Sequence, residues 1–146
     1  MIGLLQRVTQ ASVACVGEEV ARIGPGLLVF VGFARGDEVS HADRLIERIL
    51  GYRVFADLDG RMNRSLRLHG GGLLLVPQFT LVADTTSGAR ASFTPAAPPE
   101  AGERLFEYLC ENAARAWPET AHGRFGADMQ VSLVNDGPVT FWLEAC

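Results

Sequence analysis

Two short stretches hold the residue types from which a reaction site could be built. One is Pro77-Gln78-Phe79-Thr80-Leu81, after the apolar run Leu73 to Val76; the other is Asn135-Asp136-Gly137-Pro138-Val139, between two alternating apolar segments. Neither is conventional hydrolytic equipment. Covalent hydrolysis needs a nucleophile, a base and a group to orient the base. The chain has no Gly-x-Ser-x-Gly elbow and no histidine in a recognisable catalytic setting. Thr80 is the one hydroxyl in an interesting place, and with no amine or histidine near it in sequence its side chain is expected to bond its own turn. Its backbone N–H is another matter. A bend after a strand aims successive N–H groups outward, and such donors stabilise a developing oxyanion. Main-chain hydrolysis of this kind suits a substrate that is already reactive.

The Gly-Pro pair offers recognition and no reactivity. Glycine has no Cβ to obstruct a visitor and proline has no N–H, so the turn presents main-chain carbonyls where other loops present side chains. Such a surface can judge the shape of a small molecule. The plain reading of a lone Gly-Pro is a proline-terminated hairpin turn.

Bulk properties remove other classes. All 13 basic residues are arginine and the chain has no lysine, which excludes Schiff-base chemistry and a lysine base. The net charge of −4 argues against broad, non-specific attachment to nucleic acid. Six arginines nevertheless fall between positions 44 and 67: Arg44, Arg48, Arg53, Arg61, Arg64 and Arg67. Arginine forks suit phosphate oxygens, although a solvated basic face is the plainer reading. Cys15, Cys110 and Cys146 are an odd number without ligand spacing, and His41, His69 and His122 are scattered, so no metal site is expected. The cysteines fit a reducing cytoplasm. No apolar run is long enough to span a bilayer or is laid out as a signal peptide.

The 146 residues are expected to form a single domain, 1–146. Strands are predicted over Ile2 to Val8, Ser12 to Val16 and Glu19 to Ile23, the last two forming a hairpin around Gly17. Leu27 to Phe33 reads as a buried central strand. A helix from about Ser40 to Leu50, with Ser40 as cap, would bury Ala42, Leu45, Ile46, Ile49 and Leu50. Arg53 to Phe55 and Leu73 to Val76 are further strands, and residues 84 to 98 a polar loop. A second helix begins near Pro99 with Leu105, Phe106, Leu109, Ala113 and Trp117 on its buried stripe, and Pro118 ends it. Two strands, Met129 to Val134 and Val139 to Leu143, flank the Gly-Pro turn. The class is α+β, mostly antiparallel sheet of barrel or sandwich type with two main helices.

In this order and at these distances, the motifs resemble the D-aminoacyl-tRNA deacylase family. The strings are Leu5-Gln6-Arg7-Val8, Ile23-Gly24-Pro25-Gly26-Leu27, Tyr52-Arg53-Val54-Phe55, Met62-Asn63-Arg64-Ser65-Leu66, Gln78-Phe79-Thr80-Leu81, Gly123-Arg124-Phe125-Gly126-Ala127-Asp128-Met129 and Asn135-Asp136-Gly137-Pro138-Val139-Thr140. The resemblance implies a homodimeric cytoplasmic enzyme that hydrolyses the ester joining a D-amino acid to the acceptor end of tRNA, without metal or cofactor. It further implies that Gly137 and Pro138, joined by a cis peptide, form a chiral gate completing the partner subunit's site. Phe79 and Thr80 would lend N–H groups to the attacked carbonyl, Gln78 would shape that site, and Arg7 and Met129 would steady the gate and wall the pocket. Two positions depart from the pattern. Pro77 replaces the usual serine, as in a related animal branch that tolerates some L-alanyl-tRNA, although that branch also alters the phenylalanine kept here as Phe79. Ala91 follows Arg90 where proline is common. A relaxed-specificity deacylase and a non-catalytic tRNA-binding module are the alternatives.

Overall fold

A computed structural model describes residues 1–146. Its organiser is β1, Ile2–Cys15, one continuous strand of 14 residues where the sequence suggested two. Burial alternates in each half, at Gly3 and Leu5 and again at Ala11, Val13 and Cys15, with Val8 buried between them. The register shifts between Gln6 and Gln10 absorb the change of face in the middle. Val16 and Gly17 then turn the chain with positive φ (50° and 74°) into β2, Glu18–Ile23.

β3, Gly26–Gly32, pairs with the first half of β1, while β2 pairs with the second half. β6, Gly72–Pro77, lies parallel to β3, and β7, Thr120–His122, parallel to β6. β8, Gln130–Glu144, runs antiparallel along the other edge of β1 for almost its whole length. The result is a six-stranded sheet with an additional two-stranded ribbon, β4 (Arg53–Ala56) and β5 (Met62–Ser65). The larger sheet curls into a nearly closed barrel, and its pairings are mostly antiparallel. Close approach makes the curl possible: a Cβ on Gly26 would collide with the Gly72 carbonyl oxygen.

Both predicted helices are present. α1, Val39–Gly51, and α3, Pro99–Ala116, bury the predicted stripes against one face of the sheet, except that Trp117 is half-buried at the α3 cap and donates Nε1–H to the Gly71 carbonyl at 2.9 Å. A single short turn of helix, α2 (Leu66–His69), lies between β5 and β6. The cap of α1 is a correction. Glu38, not Ser40, is the N-cap, and the His41 ring accepts the Glu38 N–H at 2.8 Å in a capping box. A capping box usually carries Glu or Gln at its third helical position; here the His41 ring takes that place.

Two apolar cores result. The larger lies between the helices and the sheet, around Leu5, Leu27, Leu45, Leu73, Leu75 and Leu109. Burial there pushes the Cys110 thiol up to about 12, so it stays protonated throughout the neutral range. The smaller core fills the barrel with Val8, Val13, Ile23, Leu28, Leu74 and Val76, and it opens at one end into a cleft.

Candidate active site at the barrel mouth

The cleft encloses about 500 Å³. Phe30, Val76 and Val131 form its floor, Pro77, Gln78 and Phe79 one lip, and Phe125 to Met129 the other. Three of the expected site residues, Gln78, Phe79 and Met129, therefore line one cavity, with Thr80 adjoining.

Pro77 ends β6 at a position that tolerates it. The Gln78 N–H is directed to the Val31 carbonyl (2.8 Å), so the proline nitrogen faces the other way, toward β7. There the ladder has already closed with Gly123 N–H on the Leu75 carbonyl (2.9 Å). No sheet bond is lost. After Gln78 the chain enters one 3-10 turn, Phe79–Val82. Leu81 and Ala83 N–H groups bond carbonyls of Gln78 and Thr80, but those of Phe79 and Thr80 open the turn and make no backbone bond. Both residues are exposed. The Thr80 hydroxyl donates to Gln78 Oε1 at 2.7 Å, as expected of a side chain serving its own turn. The arrangement offers two adjacent main-chain donors at a cavity edge, with the nearby hydroxyl proton committed elsewhere.

Phe93 was not singled out from sequence, and Asp84 and Gly123 stood in motif strings without a task. Phe93 tilts against Phe79, ring centroids 5.0 Å apart, although both rings are about half exposed. The loop carrying Phe93 is pinned by paired backbone bonds between Asp84 and Ser92. The Thr86 hydroxyl and N–H on Asp84 hold that carboxyl below its usual range. Gly123 gives Met129 room, since a Cβ there would come within 2.8 Å of its sulfur. The Phe79–Phe93 and Asp84–Ser92 contacts follow from how the loop folds back on itself, which no periodicity signals.

The Gly-Pro segment is a correction to the expected pair of strands. β8 is one strand with an outward bulge, in which Asp136 to Val139 stand opposite the single residue Arg7. Gly137 has φ 147°, and its peptide bond to Pro138 is cis. Arg7 holds the bulge from one side: Nε donates to the Asp136 carbonyl at 3.0 Å and a terminal nitrogen to the Val54 carbonyl at 2.6 Å. Asn135 holds it from the other. Its Oδ1 accepts the Val139 N–H at 3.1 Å, and its Nδ2 donates to the carbonyls of Val139 (3.0 Å) and Arg7 (3.2 Å). Sequence reading placed Asn135 in the motif without giving it a task; the signal was an amide four residues before the residue it braces.

Asn135→Ala would leave the buried Val139 N–H without its acceptor. Such a loss costs about 1–3 kcal/mol. A fall in the urea midpoint at unchanged m-value is expected; a midpoint equal to that of the wild type would show that Asn135 braces nothing. Gly137 and Pro138 are exposed and do not line the cleft of their own chain. The structure thus gathers Gln78, Phe79, Thr80 and Met129 at the barrel mouth, and Arg7, Gly137 and Pro138 in a second cluster outside it.

Comparison with known proteins accords with this fold and cleft. The family described as D-Tyr-tRNA(Tyr) deacylase matches residues 4–144. A D-aminoacyl-tRNA deacylase of Nitrosococcus oceani is 62% identical over 144 residues, covering 99% of this chain and 93% of the relative. One from Stutzerimonas stutzeri is 59% identical over 145 residues, 99% and 100% of the two chains. A solved structure of a c-Myc DNA unwinding element binding protein superposes with a TM-score of 0.95 at 35% identity, covering 100% of this chain and 99% of the other. A probable eukaryotic D-amino acid tRNA deacylase shares the fold, with a TM-score of 0.83 at 18% identity over 98% of each chain. The family and the curated relatives it matches are hydrolases, and the fold is the one they share. The chain belongs to the D-aminoacyl-tRNA deacylase family.

Proposed function

We propose that the protein hydrolyses the ester of D-aminoacyl-tRNA, freeing D-amino acid and tRNA, as a chiral proofreading step in the cytoplasm. The observation that carries this reading is the pair of unengaged N–H groups, Phe79 and Thr80, at the edge of an apolar cleft. Water would attack the ester carbonyl, assisted by the 2′-hydroxyl of the terminal ribose, while these donors hold the oxyanion. An aminoacyl ester is reactive enough to need little more.

Handedness requires a second device. Discrimination by 10⁴ takes about 5.5 kcal/mol, whereas apolar pocket preferences supply about 1–3 kcal/mol. Rigid backbone that occupies the place of an L side chain can exceed that. The Gly137–Pro138 bulge, braced by Arg7 and Asn135, is suited to the role. Because it stands outside its own chain's cleft, it would serve the cleft of a second copy in a homodimer related by a twofold axis.

Steric exclusion has a corollary: glycine has no side chain to exclude. Glycyl-tRNA is expected to be hydrolysed at enzyme levels that clear D-tyrosyl-tRNA, in a deacylation time course with L-tyrosyl-tRNA alongside. Complete resistance of glycyl-tRNA would refute the steric gate. A second reading, relaxed acceptance of some L-aminoacyl-tRNA, is favoured by the Pro77 ring in the cleft lip. Appreciable hydrolysis of L-alanyl-tRNA in the same assay would select it. A protein that protects the D-tyrosyl ester instead of cleaving it would be a tRNA-binding module and no deacylase.

A further inference from the structure

The β4–β5 ribbon and α2 carry Arg53, Arg61, Arg64 and Arg67, and none of the four forms an ion pair with a carboxylate. Of the two acids in the ribbon turn, Asp57 and Asp59, Asp57 accepts the N–H groups of Asp59 (2.9 Å) and Arg61 (3.0 Å). Arg53 and Arg64 are oriented by neutral acceptors, Asn63 Oδ1 and the Leu68 carbonyl. No carboxylate therefore lies within ion-pair distance of any of the four, and the Arg61 and Arg67 side chains, both exposed, are free to engage an anion.

His69 adds a different feature. Its ring lies flat on Phe55, with centroids 4.1 Å apart and planes 6° from parallel, while the residue remains exposed. Nδ1 sits 2.9 Å from the Gly70 carbonyl, which fixes that nitrogen as the N–H donor and locks the ring. One aromatic face is thus held against the protein and the other presented to solvent, on the same ribbon and helical turn as the four unpaired arginines. Acidic peptides ask for the charges only. A flat aromatic platform interleaved with arginines matches single-stranded nucleic acid, whose bases stack and whose phosphates accept guanidinium forks.

Position gives the surface its use. Val54, between Arg53 and Phe55, accepts from the same Arg7 guanidinium that holds the Asp136 carbonyl, so the ribbon abuts the Gly-Pro bulge. We propose that this ribbon binds the single-stranded acceptor end of tRNA, with Arg61 and Arg67 on phosphates and a base stacked on His69. The inference rests on the deacylase reading for its biological substrate, and it assigns RNA contacts to residues outside the cleft.

The test is binding of fluorescently labelled uncharged tRNA between about 50 and about 200 mM salt, with each phosphate contact to a single strand contributing about 0.7 to the log–log slope. The double variant Arg61→Gln/Arg67→Gln is expected to lower the slope by about 1.4, whereas Arg61→Lys/Arg67→Lys keeps it. His69→Ala should weaken binding about tenfold at unchanged slope, as loss of a stacking platform does. Hydrolysis of D-tyrosyl-adenosine, which has no phosphate and no second base, should change by less than about twofold in all three variants, since the RNA groups these side chains would engage are missing from it. An unchanged slope in the glutamine variant, or equal loss on D-tyrosyl-adenosine, overturns the proposal. A wild-type protein that binds tRNA with the expected variant pattern yet cleaves neither ester supports the ribbon and removes the deacylase reading.

Discussion

Replacement of Gly137 by alanine is expected to lower kcat/KM for D-tyrosyl-tRNA about 100-fold, the penalty that a displacement near 1 Å imposes on a positioned substrate. The residue sits at φ 147°, a backbone conformation that L side chains rarely adopt, and its new Cβ would come within 2.5 Å of Val139 Cγ2 and 2.8 Å of Val139 N. Something must shift, and the neighbour is held by Asn135. The bulge would therefore move as a unit. Strain of this sort costs about 1–3 kcal/mol, so the variant should remain folded with a lowered melting temperature. Measuring hydrolysis of D- and L-tyrosyl-tRNA by wild type and variant decides the matter. A folded Gly137→Ala protein with wild-type rate and chiral ratio would remove the bulge from the mechanism.

The second large effect separates side chain from main chain at one residue. Thr80→Ala deletes a hydroxyl whose hydrogen bond goes to Gln78, and activity should stay within about fivefold, since the backbone donor that stabilises the oxyanion remains. Thr80→Pro deletes the N–H itself. Loss of one oxyanion donor costs about 10²–10³ in kcat, and that drop is expected with D-tyrosyl-tRNA in single-turnover assays. Proline near the start of a helical turn is sterically acceptable, although it restricts Phe79 before it. If alanine proved as damaging as proline, the threonine hydroxyl would be a nucleophile or base after all.

Local periodicity made most of the architecture legible. The α1 and α3 stripes and the buried run Leu27 to Phe33 were readable because burial on one face imposes spacing on the sequence. Other elements left no such trace. β7 has three residues and exists by pairing with β6, and β5 pairs only with β4 and is exposed at Met62 and Asn63. The continuity of β1 was hidden by Thr9 and Gln10, which are exposed where its pairing changes. At the site, the residue types at Gln78–Thr80 and Gly137–Pro138 drew attention to two exposed main-chain segments, and Gln78 and Phe79 do line the cleft. The cavity wall at Phe30, Phe125 and Val131 could not be read, because only the curling of the sheet brings those residues together.

The separation of the Gly-Pro bulge from its own chain's cleft has a consequence for mixtures. If catalysis draws donors from one protomer and the bulge from the other, lesions in the two elements complement each other when carried on different chains. Impaired Gly137→Ala and Thr80→Pro proteins, dissociated and reassembled together, would form hybrids in which one of the two clefts contains neither defect. Random reassortment would raise the turnover of two preparations each lowered about 100-fold or more to about one quarter of native, whereas a self-sufficient subunit would give no rise.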